Sequence, residues 1–106
     1  MHTKMEYLRG TIHFADLGYG EKPFLIVSNN NRNRALGSAL AARITTSRKP
    51  ELASIIPLSL GEPIVGSVLC DDLETLYPED SRKEGGALSP SAMRAVNRGL
   101  KIALGL

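Results

Sequence analysis

D-L-G-Y-G-E-K-P-F-L-I-V-S-N-N-N, Asp16–Asn31, is the stretch on which the fold turns. Gly18 and Gly20 tolerate positive φ and invite motion, so Leu17–Lys22 reads as a flexible loop. Pro23–Ser28 is a short apolar run with a polar stop, the pattern of a strand buried on both faces. Asn29–Gly37 is polar and predicts a turn or a short helical piece. Upstream, Arg9–Asp16 alternates, with Ile12 and Phe14 on one face and Thr11, His13 and Ala15 on the other, as a half-buried strand does.

Downstream, Ser38–Thr45 reads as a third strand with Ala39, Ala41 and Arg43 facing one way and Leu40, Ala42 and Ile44 the other. Ser47–Leu52 is a basic loop. Ser54–Leu58 is a short strand interrupted by Pro57, which lacks a ladder donor and so marks an edge or a bulge. Gly61–Gly66 turns the chain, Ser67–Asp71 makes a fifth strand, and Leu73–Tyr77 extends the sheet. Pro78–Ala87, polar and carrying the Gly85-Gly86 pair, is predicted to be a loop. Ser89–Leu104 is predicted to be a helix: Ser89 caps it, Pro90 suits its first turn, and Gly105 follows its end. Met93, Val96, Leu100 and Ala103–Leu104 recur at helical spacing and predict the face that packs on the sheet. Gly99 costs such a helix roughly 1 kcal/mol relative to Ala, which points to close approach of another element. The chain thus reads as one mainly β domain, residues 1–106, a strongly curved antiparallel sheet or barrel closed by a C-terminal helix.

A domain of 106 residues buries about two-thirds of its unfolded surface, enough for one modest core. Association through an apolar face would add to that, so a homodimer is expected. The charge is unevenly placed. Residues 1–50 hold eight Lys/Arg against three Asp/Glu, residues 51–106 hold five against eight, and 22–50 carry six bases with no acid. Such asymmetry fits a polyanion partner for one face; it fits equally a solvated face whose opposite charges meet in the fold. Cys70 is the single cysteine, which excludes an intrachain disulfide and reads as a buried structural thiol. With two His and one Cys there is no metal-ligand spacing, and no P-loop is present. No run approaches the ~18 apolar residues of a membrane span, so no membrane partner and a cytoplasmic location are expected. Met5 offers an alternative start, with His2 in the extension before it.

Taken in order, four segments resemble the MazF/PemK family of toxin–antitoxin ribonucleases. They are R-G-T-I-H-F-A-D-L at Arg9–Leu17, K-P-F-L-I-V-S-N-N at Lys22–Asn30, G-S-V-L-C-D-D-L-E-T-L at Gly66–Leu76, and the terminal helix Leu88–Leu106. The wording of the second block is similar to a mycobacterial-type branch with Lys where other members have Arg. The resemblance implies an SH3-like small antiparallel β-barrel with a C-terminal helix, shared with the gyrase-poisoning CcdB toxins, and usually a homodimer. It also implies cofactor-free, metal-independent cleavage of single-stranded RNA, and a cognate antitoxin whose disordered tail covers the RNA groove.

By the same resemblance, Lys22 falls at the position of a catalytic arginine, Thr45 at a conserved threonine, and Asp71 at an aspartate given a base or positioning role. Departures accompany these matches: Thr11 stands where Asp is commoner, and Leu69, Asp72 and Glu74 replace a basic residue, a glutamine and an arginine. Asp71–Glu74 also reads as a negative patch that selects bases through their amino groups. Asn29, Arg32, Arg34, Arg43, Thr46, Arg48 and Lys49 are candidate RNA contacts, several of the arginines and lysines reading equally as surface charges. Tyr19 reads either as a base-stacking ring or as an apolar pin for its loop. His13 reads as a packing residue or as a neutral surface one rather than a catalytic one. The alternative on the same fold is a protein that binds RNA without cutting it, or that inhibits gyrase.

Overall fold

The computed structural model of the chain describes residues 6–106; the readings of Met5 as a start and of His2 lie outside them. Strands β1 (Thr11–Asp16) and β2 (Glu21–Ile26) form a hairpin in which Ile12 pairs Leu25 and Asp16 pairs Glu21. The tip is the glycine loop, with φ of +110° at Gly18 and +89° at Gly20. The expectation of a loose loop meets a clasp: Asp16 Oδ1 accepts from the Gly18 amide at 2.8 Å and the Gly20 amide at 3.1 Å.

Helix α1 (Asn30–Leu36) follows, capped by the Asn29 side chain and stopped by Gly37 in the left-handed region, φ +69°. Strands β3 (Ala39–Thr45), β4 (Ile55–Pro57), β5 (Ser67–Leu76) and β6 (Ser81–Ala87) complete one six-stranded antiparallel sheet in the order β4-β5-β3-β2-β1-β6. Pro57 lies on an edge strand, as its missing N–H requires. Helix α2 (Pro90–Leu104) is capped by Ser89 Oγ, which accepts from the Ala92 amide, and ends at Gly105 with φ +71°.

The sheet is barrel-like rather than hydrogen-bonded all the way round, since β4 and β6 are its two edges. The β4–β5 connection spans toward the other edge: a Cβ on Gly86 of β6 would lie 3.2 Å from Pro63. Glu62 fastens the same connection to α2. Its carboxylate accepts from the Ser89 amide at 2.9 Å and the Ser89 hydroxyl at 2.6 Å, bonds that hold its pKa below the ordinary carboxylate range.

The core has two parts, one on each face of the sheet. Ile12, Leu25, Ala42, Ile44, Val68, Cys70 and Leu88 meet α2 through Val96, Met93 and Leu100. Tyr7, Ala15, Phe24, Ile26, Ala39, Ala41 and Leu76 form the other cluster. Gly99 lets α2 sit close, because a Cβ there would come within 2.8 Å of Cys70 Sγ and 3.1 Å of Ile56. Cys70 is buried, as expected, and burial first, then Asp71, raises its thiol to about 11.

Three expectations change. Pro78–Ala87 is not wholly a loop, because Ser81–Ala87 forms β6 against β1. An edge strand pairs on one side only, so β6 keeps polar side chains and shows no apolar alternation. Its Gly85 admits the rings and branches of β1, since a Cβ there would lie 2.7 Å from Phe14. Strand β1 is buried on both faces, not one: Ile12, His13 and Ala15 are all sealed. Leu104, placed on the packing face of α2 by spacing, is half exposed, while Gly99 is buried in the close contact with β4 and β5.

Candidate functional site: the open face of the sheet

Strand β3 is hydrogen-bonded to β2 on one side and β5 on the other, which fixes the direction of its side chains. Ala42 and Ile44 enter the core under α2, so Ala39, Ala41, Arg43 and Thr45 point to the opposite face, where Ala39 and Ala41 join the second cluster and Arg43 and Thr45 lie beyond it. Phe24 lies directly across from Arg43, and Lys22 stands on the same face two residues along β2. Lys22, Phe24, Arg43 and Thr45 therefore share one surface.

Two concavities open there. The smaller, about 300 Å³, is lined by Tyr19 and Lys22 from the hairpin, Phe24 and Arg43 from the central strands, and Asp72 and Glu74 from β5. The larger, about 750 Å³, is lined by Thr45, Thr46, Arg48 and Lys49 together with Ile55 and Ser67. Arg43 and Thr45 are two strand residues apart, roughly 7 Å, so the concavities adjoin.

A bulge in β5 shapes the smaller concavity. Ala42 pairs with Leu73 but Arg43 pairs with Leu69, so Cys70, Asp71 and Asp72 are inserted against one step of β3. Such an insertion re-aims side chains. Cys70 turns into the core, Asp71 is exposed and lines neither concavity, and Asp72 joins the smaller one.

The electrostatics are unspent. Among the described residues the one ion pair joins exposed Lys83 to Glu21 at 4.0 Å. Lys22, Arg43, Arg48 and Lys49 have no carboxylate partner at that range. The Arg43 Nε is buried with no hydrogen-bond partner, the single buried side-chain polar atom left so among the described residues. An unsatisfied donor costs about 1–3 kcal/mol, and a partly desolvated cation acts more strongly on an anion beside it. Thr45 is buried, and its Oγ1 accepts from the Ser47 amide at 3.1 Å. Accepting leaves its own O–H free to donate into the larger concavity.

Other candidates sit elsewhere. Asn29 Oδ1 is occupied by the amides of Asn31 and Arg32 at the start of α1. Arg32 donates to the Ser38 carbonyl at 2.8 Å, tying α1 to β3, and Arg34 donates to Asn31. His13 is sealed between Ser81 Oγ at 2.8 Å and Thr11 Oγ1 at 3.2 Å, edge-on to Tyr7, and burial lowers its pKa. That is the packing role expected of it. Tyr19 is 85% exposed at the clasped hairpin tip, so its ring is not a pin into the core. The residues missed at the sequence level are Phe24 as a floor and Ile55 and Ser67 as a wall; their apolar or small character carries no chemical signal.

One face of this small antiparallel barrel thus gathers unpaired cations, the Thr45 hydroxyl, an exposed aromatic ring and two carboxylates. Residues 8–104 match the family of PemK-like, MazF-like toxins of type II toxin–antitoxin systems, and the chain belongs to that family. It is 40% identical over 99 residues to the endoribonuclease MazF4 of Mycobacterium tuberculosis, spanning 93% of each protein. A mycobacterial endoribonuclease solved in complex with its cognate antitoxin superposes with a TM-score of 0.90 at 40% identity, covering 94% of this chain and 96% of that one. A second mycobacterial endoribonuclease superposes equally well, TM-score 0.90 at 35% identity, over 99% and 97% of the two chains. The SH3-like barrel with a C-terminal helix expected from the sequence is the observed fold.

Proposed function

We propose that this MazF-type endoribonuclease cuts single-stranded RNA at short sequences without a metal. The products would be 2′,3′-cyclic phosphate and 5′-hydroxyl ends. The observation that carries the reading is the row Lys22, Arg43 and Thr45 on one open face, with both cations unpaired. An RNA strand laid along β3 brings its phosphates past all three. A base withdraws the 2′-hydroxyl proton, the 2′-oxygen attacks the adjacent phosphorus, and the P–O5′ bond breaks as an acid protonates the 5′-oxygen. Lys22 serves as the cation that stabilises charge on the phosphoryl oxygens and supplies the proton to the 5′-oxygen; Thr45 donates its O–H to a phosphoryl oxygen. Asp71 lines neither concavity and is kept only as a positioning group on the β5 bulge. Arg48, Lys49 and Thr46 follow the backbone in the larger concavity. Asn29 and Arg32, engaged within α1, contribute through that helix.

By the same reading the protein acts in the cytoplasm as a homodimer and is neutralised by a cognate antitoxin whose acidic segment occupies the cationic face. Its likeness to a relative solved with an antitoxin supports this. The test is incubation of pure protein with a structured RNA mixture in EDTA, followed by end mapping. Ends bearing 5′-hydroxyls, lost on Lys22→Ala or Thr45→Ala, are expected. RNA bound but left intact would point to a non-cleaving protein, and gyrase-dependent DNA breaks to the CcdB-like alternative.

A further inference from the structure

The smaller concavity has the composition of a receptor for one planar polar group. Phe24 forms an apolar floor, and Tyr19 holds an exposed ring on a loop fixed by Asp16. At about 300 Å³ it takes one nucleotide-sized group. Its rim carries Asp72 and Glu74, which only accept hydrogen bonds, and Lys22 and Arg43, which only donate. No ion pair within 4.0 Å joins any of these four among the described residues. Donors and acceptors that face one concavity without satisfying each other are available to a ligand that presents both. The bulge of β5 places Asp72 there, and Arg43, whose Nε is buried without a partner, lines the same concavity.

We infer that this concavity is a subsite for a single base that carries an exocyclic amino group, cytosine, adenine or guanine, and that it discriminates against uracil. The inference rests on the proposed cleavage of RNA. The base stacks on Tyr19, a contact worth ~1–3 kcal/mol by alanine substitution. Its amino hydrogens go to Asp72 or Glu74, and a ring nitrogen or carbonyl accepts from Arg43. Uracil carries the carbonyl O4 where cytosine carries its amino group, so at that position it sets an acceptor against a carboxylate and leaves only its N3–H as a donor. Lys22 keeps the flanking phosphate at the mouth. A carboxylate that reads an amino group discriminates by about ten- to hundredfold against the wrong base.

The experiment takes one mapped cleavage site and replaces each flanking position with all four bases, measuring kcat/KM for the wild type, Asp72→Asn and Glu74→Gln. At one position the wild type is expected to prefer amino-bearing bases over uracil by at least tenfold. Where that base is cytosine, its pyrimidin-2-one analogue, which lacks only the amino group, should behave like uracil. One or both amide variants should lose that preference while cleaving the uracil-containing RNA at least as well as the wild type does. Unchanged preferences at every position in both variants, or an equal loss for all four bases, overturn the subsite. Should the wild type not cut RNA at all, the proposed function falls. The subsite is then judged by anisotropy with labelled oligonucleotides: base-indifferent binding in all variants overturns it. Capture there of an acidic peptide that competes with RNA but ignores both amide changes would also overturn it.

Discussion

The two faces of the sheet are built from alternate residues of the same strands, yet they have opposite chemistry. Under α2, Ile12, Leu25, Ala42, Ile44, Val68 and Cys70 are sealed against Val96, and at Gly99 there is no room for one more carbon. On the other side the same strands present Lys22, Arg43 and Thr45 to two concavities, with cations unpaired and a guanidinium nitrogen unsatisfied. The α2 face is packed throughout; the other is packed over Ala39, Ala41, Ile26 and Leu76 and departs from that only around Lys22, Arg43 and Thr45. Local violations of polar satisfaction are expected where a ligand completes the structure. Substitutions on the two faces should therefore separate: one set changes stability, the other activity.

The largest effect is expected at Lys22. Replacing it with alanine should lower kcat by about 10²–10³, the range for loss of one group that stabilises transition-state charge. Urea unfolding should shift by less than about 0.5 kcal/mol, as at a surface position. A comparable loss of stability would merge the two faces and break the contrast. Gly66→Ala acts where the faces share backbone. Its φ is +127°, and a Cβ would lie 2.5 Å from the Thr45 carbonyl oxygen, which cannot swing aside. Here stability should fall by about 2–4 kcal/mol, read by the denaturation midpoint. Gly99→Ala should cost less, about 1–2 kcal/mol, since the clash with Cys70 and Ile56 outweighs the better helix propensity of alanine. The specific activity of its folded fraction should stay unchanged.

Two packed groups, His13 and Cys70, contribute to the pH dependence of stability. His13 has its pKa lowered by burial, so the unfolded chain binds the proton first. Its contribution is fully present above the ordinary value of 6.5 and is lost as pH falls from there through the lower folded value. Cys70, raised from 9.0 to about 11, behaves in the opposite sense: its share is complete below 9.0 and disappears as pH rises toward 11. Thermal melts between pH 4 and 11 should show both flanks. His13→Phe should flatten the acid one, and an unaltered acid flank would remove His13 from the account. The smallest effect concerns Arg48 and Lys49. Each alanine variant should weaken binding to all RNA sequences alike and reduce the salt slope by about one.

Much of the fold is legible because its signals are local. Ser89, Pro90 and Gly105 bound α2 by capping chemistry, and Pro57 marks the β4 edge by its missing donor. Gly99 is unexpected in a helix and proves to be the point of closest approach to β4 and β5. The strand β6 is not legible, since an exposed edge leaves polar residues with no period to read. Its pairing is supplied by β1, distant in sequence. Sealed His13 is illegible for a related reason: its second face is covered by Tyr7 and Ser81, which no alternation reveals.

The sequence by itself determined the class of sheet, the terminal helix, the acid-free basic stretch and, through four segments in order, the family. Those features depend on residue type and short-range spacing. Only the tertiary structure decided how Lys22, Arg43 and Thr45 are distributed over two adjoining concavities, and that Asp72 rather than Asp71 faces the first. The pairing register and a three-residue bulge set which side chains share a surface, and both are fixed by strands far apart in the chain.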